Sequence, residues 1–444
     1  MGPTETLARF VVGHRPDALP DAVTHEAKRS LLNWLGVGIG AADHPIVTIA
    51  LDVIGSVGGA AAASLLGRSE RTDVLHASFI NGTSSHVFDF DDTHLDTIIH
   101  PSGPVAAPLF ALAERDGHSG RDVLHAFALG VDAECRIGNA VYPAHYDIGW
   151  HITGTAGVFG AAIATAKLLG LDVTTTRTAI GLAASQSSGL REMFGTMTKP
   201  FHVGHAAKNG LFATLLAQAG FTSSLRALEA PRGFANVLSS ERDYDEITNE
   251  LGERFELSKN AYKPFACGIV IHPSIDACVQ FRELLGGATE DVESVTLRVH
   301  PLVLELTGKT EPRTGLEGKF SVYHSAAVAL IDGEAGETQY ADARVNDPAV
   351  TALRSKVSAV ADTSVREDEV FATLRTSNGE VHELHVPHAI GSLERPMSDA
   401  QLEAKFTSLV APVLGDAKVR TIIDLTWRLD ELDDLAELIA AVTR

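Results

Sequence analysis

Apolar residues spaced three and four apart, broken by Gly, Pro and Asp clusters, recur through about the first 265 residues of this chain. The spacing predicts helices over Leu7–Val12, Ala22–Ala41, Ile46–Ile54, Ser78–Phe88, Pro104–Arg115, Gly120–Val141, Gly154–Leu169, Thr174–Ser187 and Gly204–Phe221. Alanine is abundant in these stretches, which favours helix and close packing. Strand-like alternation is scarce, so this part of the chain has few ways to fold other than as packed helices.

The texture changes near Pro273. Val292–His300 alternates like a strand, and Val370–Thr376 and Val381–Val386 flank Ser377-Asn378-Gly379-Glu380, a hairpin signal. Helices are expected in the same region at Ser274–Leu285, Ser325–Leu330 and Pro348–Lys356. From Ser398 the helical pattern returns, with Ser398 capping Asp399–Val410 and Asp430–Val442 closing the chain. The expected fold is mainly α: a large all-helical domain formed by both chain ends (1–267 and 396–444) with a smaller α+β domain (268–395) inserted. The alternative is three consecutive units.

Lys+Arg total 36 against 57 Asp+Glu, a net charge of −21 over 444 residues. That argues against nucleic-acid binding, which needs an electropositive face, and against a polybasic membrane contact. It leaves room for a local positive pocket. Cys135, Cys267 and Cys278 form no CxxC and cannot supply a disulfide framework or a four-cysteine cluster, so a reduced cytoplasmic setting fits. Met1–Arg15 shows no signal-peptide pattern. The Gly/Ala-rich run Gly154–Leu171 carries Lys167 and reads as a core helix, not a membrane span.

Four segments concentrate polar chemistry. Asn81–Gly103 (NGTSSHVFDFDDTHLDTIIHPSG) holds Asp89, Asp91, Asp92 and Asp96 with His86, His94 and His100. If Ser78–Asp92 is helical, His86, Asp89 and Thr93 share one face. Ser102 is expected to cap a helix with Pro104 in its first turn, leaving free N–H groups that attract an anion. An aspartate-rich Mg²⁺ site using Asp91, Asp92 and Asp96 is the competing reading, but it needs a second acidic motif. Only Asp430–Asp434 is acidic enough, and it reads as a solvated face. Ser185–Gly210 gathers Arg191, Lys199, His202, His205 and Lys208, without the spacing of a phosphate loop. Pro200 suggests a bend that projects Lys199 before the next helix. Ala261–Pro273 places Lys263 among apolar residues, where a lysine needs an anionic partner or loses its charge. Gly149–Thr155 sets His151 just before a Gly/Ala-rich helix.

Together and in this order, NGTxxHxxDFDDTH…HPSG (81–103), GWHxTGTxG (149–157), GTMTKPFHxGHAAxNG (195–210), YKPFACG (262–268) and GKFSVY (318–323) resemble the MmgE/PrpD family over nearly the whole chain. That family includes 2-methylcitrate dehydratase, cis-aconitate decarboxylase and iminodisuccinate epimerase. The resemblance implies the two-domain arrangement above and a homodimer. It also implies that the family's site residues fall on Asp89, Thr93, His100, His151, Lys199 and Lys263. One departure touches the decarboxylase branch: a histidine found there shortly after the lysine of YKPF is Cys267 here.

Each of these activities develops negative charge beside a carboxylate, and no cofactor is evident from the sequence to absorb it. Fixed positive charge from Lys199, Lys263, Arg191 and the helix start at Ser102 is expected to do so. His100 and His151 suit proton transfer, Asp89 suits orientation or base chemistry, and Thr93 and His202 suit substrate contact. The expected substrate is a small di- or tricarboxylate, with no metal. The expected reaction is dehydration, with epimerisation and then decarboxylation as alternatives. A non-enzymatic carboxylate binder would keep the lysines and need no acid/base pair, so His100, His151 and Asp89 together argue against it.

Overall fold

The computed structural model describes residues 1–444 and is mainly α. The long helices are Asp21–Gly40, Val74–His86, Ser102–Asp116, Gly120–Asn139, Ile152–Leu168, Val173–Ala184 and Thr198–Gln218. They pack on one another around a shared apolar core that includes Trp34, Phe127 and Phe159. Helices Val74–His86 and Thr198–Gln218 cross at glycines: a methyl at Gly82 would lie 3.0 Å from Gly204 Cα. The low side-chain volume read from the sequence is therefore what lets these backbones touch. No single helix is long and apolar enough to cross a membrane.

One four-stranded sheet follows. Val292–Val299 lies inside it, parallel to Val357–Ala361 (Val295 opposite Val357) and antiparallel to Val370–Thr376 (Val295 opposite Leu374). Val370–Thr376 pairs in turn with Val381–Val386 through the expected hairpin, whose Gly379 adopts a positive φ of 90°. Helices His272–Leu284 and Val322–Asp332 cover this sheet. The Asp399–Leu414 helix, capped by Ser398, returns to pack on Asp21–Gly40. Arg29 Nη2 donates to the Met397 carbonyl at 2.7 Å across that contact.

Several expectations need correction. The helix expected over Ser78–Phe88 stops at His86, so the extension to Asp92 that would put His86, Asp89 and Thr93 on one face does not occur. Asp89 then takes a left-handed conformation (φ 50°), and His86 Nδ1 bonds Asp91 Oδ2 at 2.7 Å across the turn. A side-chain bond of this kind competes with helix continuation. Thr93 consequently sits in a two-residue strand, opposite Ala261, and not on a helix face. The helix expected from Gly204 starts at Thr198, with Lys199 and Pro200 in its first turn, where proline costs no hydrogen bond. Strand Val357–Ala361 lacked alternation strong enough to be read. The chain ends in Asp416–Trp427 and Ala436–Ala441 rather than in one helix over 430–442.

Candidate active site

The short ribbon that pairs Thr93–His94 with Asn260–Ala261 brings the turn carrying Asp89 against the segment carrying Lys263. Lys263 Nζ donates to Asp89 Oδ1 at 2.6 Å, and Lys199 Nζ, from the first turn of its helix, stands 3.0 Å from the same oxygen. Burial opposes ionisation of Asp89, but the two ammonium groups outweigh it and hold the carboxyl well below the usual range. Burial lowers the Lys199 pKa, and Asp89 opposes that shift. Asp89 Oδ2 is buried without a protein partner.

These three groups line a cavity with His100, His151 and Tyr146. Its empty volume, open mouth included, is about 430 Å³, and its remaining wall is largely apolar: Ile98, Phe194, Ile269, Val270, Leu306 and Phe320. Lys199 Nζ lies 5.4 Å and 5.3 Å from the ring centroids of Phe194 and Phe320, so two aromatic faces add to the field that keeps it there.

His100 Nδ1 donates to the Asp92 carbonyl at 3.0 Å. A carbonyl only accepts, so the neutral ring keeps its lone pair on Nε2. Burial pushes the His100 pKa well down, against the opposing pull of Asp91. His151 pairs Nδ1 to Nδ1 with His202 at 2.9 Å, and burial, His202 and Lys199 hold it well below the ordinary histidine value. Both imidazoles are thus neutral near pH 7. His86 braces this group, its ring centroid 4.5 Å from that of His100.

Asp89, His100, His151, Lys199 and Lys263 therefore meet at one cavity, although they come from four separate segments. Four other residues expected at the substrate do not line it. Thr93 lies behind His100, with Oγ1 3.4 Å from Nδ1. Ser102 is the first helical residue rather than the cap, and its Oγ donates to Asp92 Oδ2 at 2.6 Å, so an internal carboxyl already takes that hydroxyl. Arg191 lays its guanidinium 4.1 Å from the Tyr146 ring centroid, donates to the Tyr146 carbonyl at 3.0 Å and pairs with Glu305. His202 supports His151 from behind, and burial lowers its pKa to about 4.

The aspartates of the magnesium reading do not converge. Asp96 faces Lys259, and Asp92 accepts from Ser102 and Asn260. His86, Asp89, Asp91 and His100 do bring ligand-type atoms within 4.8 Å of one another. Two lysine ammonium groups already neutralise that cluster at Asp89. Sequence reasoning missed Tyr146, Leu306 and Phe194, which carry no chemical signal of their own. Phe320 sits in the GKFSVY segment and could have been found from it.

A buried carboxylate shared by two ammonium groups, with two neutral imidazoles on the same cavity, is an arrangement that can hold an anion and exchange protons. The MmgE/PrpD N-terminal domain model matches residues 5–247 and the MmgE/PrpD C-terminal domain model matches residues 265–430; the chain belongs to the MmgE/PrpD family. It is 28% identical to the cis-aconitate decarboxylase of Homo sapiens, over 98% of this chain and 93% of that protein. It is 25% identical to the cis-aconitate decarboxylase of Aspergillus terreus, over 99% of this chain and 95% of that protein.

Proposed function

We propose that this protein is a lyase acting on a small tricarboxylate, forming negative charge on a carbon beside a carboxylate. The observation that carries the reading is the pair Lys199 and Lys263 converging on one oxygen of Asp89. Two ammonium groups face one carboxylate on the cavity wall, inside a protein of net charge −21, and the second ionised carboxylate, Asp91, stands behind His100. A substrate carboxylate competes with Asp89 for those lysines. When it takes one, Asp89 loses part of what depresses its pKa and becomes a better base. His100 Nε2 offers a second proton acceptor, and fixed donors meet the charge as it develops.

Two bond cleavages follow from that charge. Loss of CO₂ from a cis-aconitate-like substrate is favoured by the apolar wall, which penalises a localised carboxylate charge more than a dispersed one. It is also what the names of the relatives indicate. Dehydration of a 2-methylcitrate-like substrate is the second reading. Cys267 favours it, because the decarboxylase branch carries a histidine there. A homodimer is the assembly the family resemblance implies; exposed Ile49, Val53, Met197 and Phe201 line one apolar groove that a second copy would cover.

The test is a panel of citrate, 2-methylcitrate, cis-aconitate and iminodisuccinate stereoisomers followed by NMR. CO₂ loss, water loss or addition, and stereoinversion give different products. The reading expects a lyase product from a tricarboxylate, abolished by Lys199→Ala. Stereoinversion alone, or full turnover by Lys199→Ala, overturns it.

A further inference from the structure

Three consecutive carbonyls in the turn around Asp89 each accept from a different buried lysine. Lys319 Nζ donates to Phe88 O at 2.6 Å, Lys263 Nζ to Asp89 O at 3.1 Å, and Lys405 Nζ to Phe90 O at 2.6 Å. Lys263 also bonds the Asp89 carboxylate, as described above. Lys319 and Lys405 do not line the cavity, and the proposed chemistry leaves them unused.

Their remaining bonds have a pattern. Lys319 reaches Ala266 O at 2.8 Å and Glu337 Oε2 at 2.6 Å. Lys405 reaches Lys263 O at 2.9 Å and Asn33 Oδ1 at 2.8 Å. Each therefore bonds one carbonyl of the 88–90 turn and one of the 263–266 segment. Each also has three acceptors, matching the three N–H groups of an ammonium; burial pushes the Lys405 pKa well down, and its three acceptors favour the protonated form against that. The two lysines come from distant places: one follows the short Gly315–Gly318 helix, the other lies in the Asp399–Leu414 helix.

Burying an ammonium is costly, and a well-packed apolar side chain would tie two loops with less penalty. What an ammonium adds is direction. It draws carbonyls to a point, and here the carbonyls drawn flank the left-handed Asp89 (φ 50°) on both sides. A left-handed aspartate is sparsely populated without such support.

We propose that Lys319 and Lys405 are positioning residues: together they clamp the 88–90 turn to the 263–266 segment and so set the Asp89 carboxylate against the Lys263 ammonium. The proposal rests on reading Asp89 and Lys263 as reacting groups. It makes the site's alignment depend on the C-terminal part of the chain, although the reacting side chains all precede residue 264.

The test uses Lys319→Met and Lys405→Met, which keep the stem and remove the ammonium. Glu403→Gln serves as a control, because Glu403 lies on the same helix as Lys405 but bonds Trp427 Nε1. Hydrogen exchange is read by mass spectrometry in peptides covering 87–93 and 262–268. Exchange there is expected to rise about tenfold or more in both Met variants, with the other long helices and the control unchanged. On the tricarboxylate that the wild type turns over, kcat is expected to fall about 30-fold or more, with KM and the Kd of tricarballylate, a non-reacting probe, within about threefold.

Milder variants guard against misfolding. Glu337→Ala and Asn33→Ala each remove one partner of a clamping lysine and are expected to lower kcat about three- to tenfold at unchanged KM. Unchanged kcat in these variants overturns the proposal. So does exchange that rises evenly along the chain with a lowered melting temperature, which marks a merely structural role. If the wild type turns over no tricarboxylate, the functional reading fails, and the local exchange pattern alone decides the clamp.

Discussion

Lys263 Nζ and Asp89 Oδ1 lie 2.6 Å apart, both buried, and Lys199 shares the same oxygen. Neither lysine has another carboxylate within ion-pair distance. Asp89→Asn therefore leaves two buried ammonium groups uncompensated. The expected cost is about 3–5 kcal/mol of stability, the range seen when one partner of a buried pair is removed. Urea unfolding checks it. An Asn variant as stable as the wild type would mean that the lysines are held by something other than this carboxylate.

Asp92 titrates in the opposite sense to Asp89. Burial raises its carboxyl to about 7, against the hydrogen bond from Ser102. Its folded pKa thus exceeds the unfolded value of about 3.9. The stability it contributes is fully present below that unfolded value and is lost as pH rises through 7. Asp92→Asn keeps an acceptor for Ser102 and Asn260 and removes the titration. At pH 8 the variant is expected to be more stable than the wild type by about 2–4 kcal/mol, and no more stable at pH 4. Unfolding midpoints at both values decide this.

His100 and His151 bring the acid limb. Burial holds both well below the ordinary histidine pKa, so the unfolded chain binds protons first as pH falls. Their stability is present above about 6.5 and is lost on acidification below it, at up to about 1.4 kcal/mol per pH unit for each ring. Asp92 has the opposite slope in the same window, so the measurement belongs in the Asp92→Asn background. Adding His151→Gln there is expected to flatten the loss between pH 6.5 and 5. An unchanged slope would show that His151 is not buried in its neutral form.

Arg191 distinguishes the sequence expectation from the observed geometry. Its guanidinium stacks on Tyr146 and pairs with Glu305, outside the cavity lining. Arg191→Ala is therefore expected to lower kcat/KM by about tenfold or less, through the Tyr146 wall. Lys199→Ala is expected to lower it by about a thousandfold or more. Steady-state kinetics on the substrate identified by the panel would show the two variants far apart. Equal losses would return Arg191 to the substrate.

Much of the secondary structure was legible. The hairpin strands fall at Val370–Thr376 and Val381–Val386, as read from period-2 alternation around a Ser-Asn-Gly-Glu turn. The Gly/Ala-rich helices follow from spacing and propensity. The helix expected past His86 failed because a side-chain pairing, His86 to Asp91, and a left-handed Asp89 are not visible in apolar periodicity. Ser102 was read as a cap because its chemistry fits one, yet a carboxyl ten residues earlier in the chain takes its hydroxyl. Lys263 could be selected as a residue needing an anionic partner and Lys199 as one projected by the bend at Pro200; that both meet one shared carboxylate oxygen could not.

By itself, the sequence determined which side chains are candidates to carry chemistry. A lysine in apolar surroundings and histidines beside glycine-rich helix starts are improbable unless something nearby satisfies them, and that is written in local composition. Only the tertiary structure decided which of them meet. Asp89, Lys199 and Lys263 are separated by scores of residues and converge through a two-strand ribbon and the first turn of a helix. The carbonyls that Lys319 and Lys405 draw together belong to backbone, which every sequence supplies alike. Long-range hydrogen bonds to backbone leave no residue-type signature at the acceptor, so no pattern in the chain could have announced them.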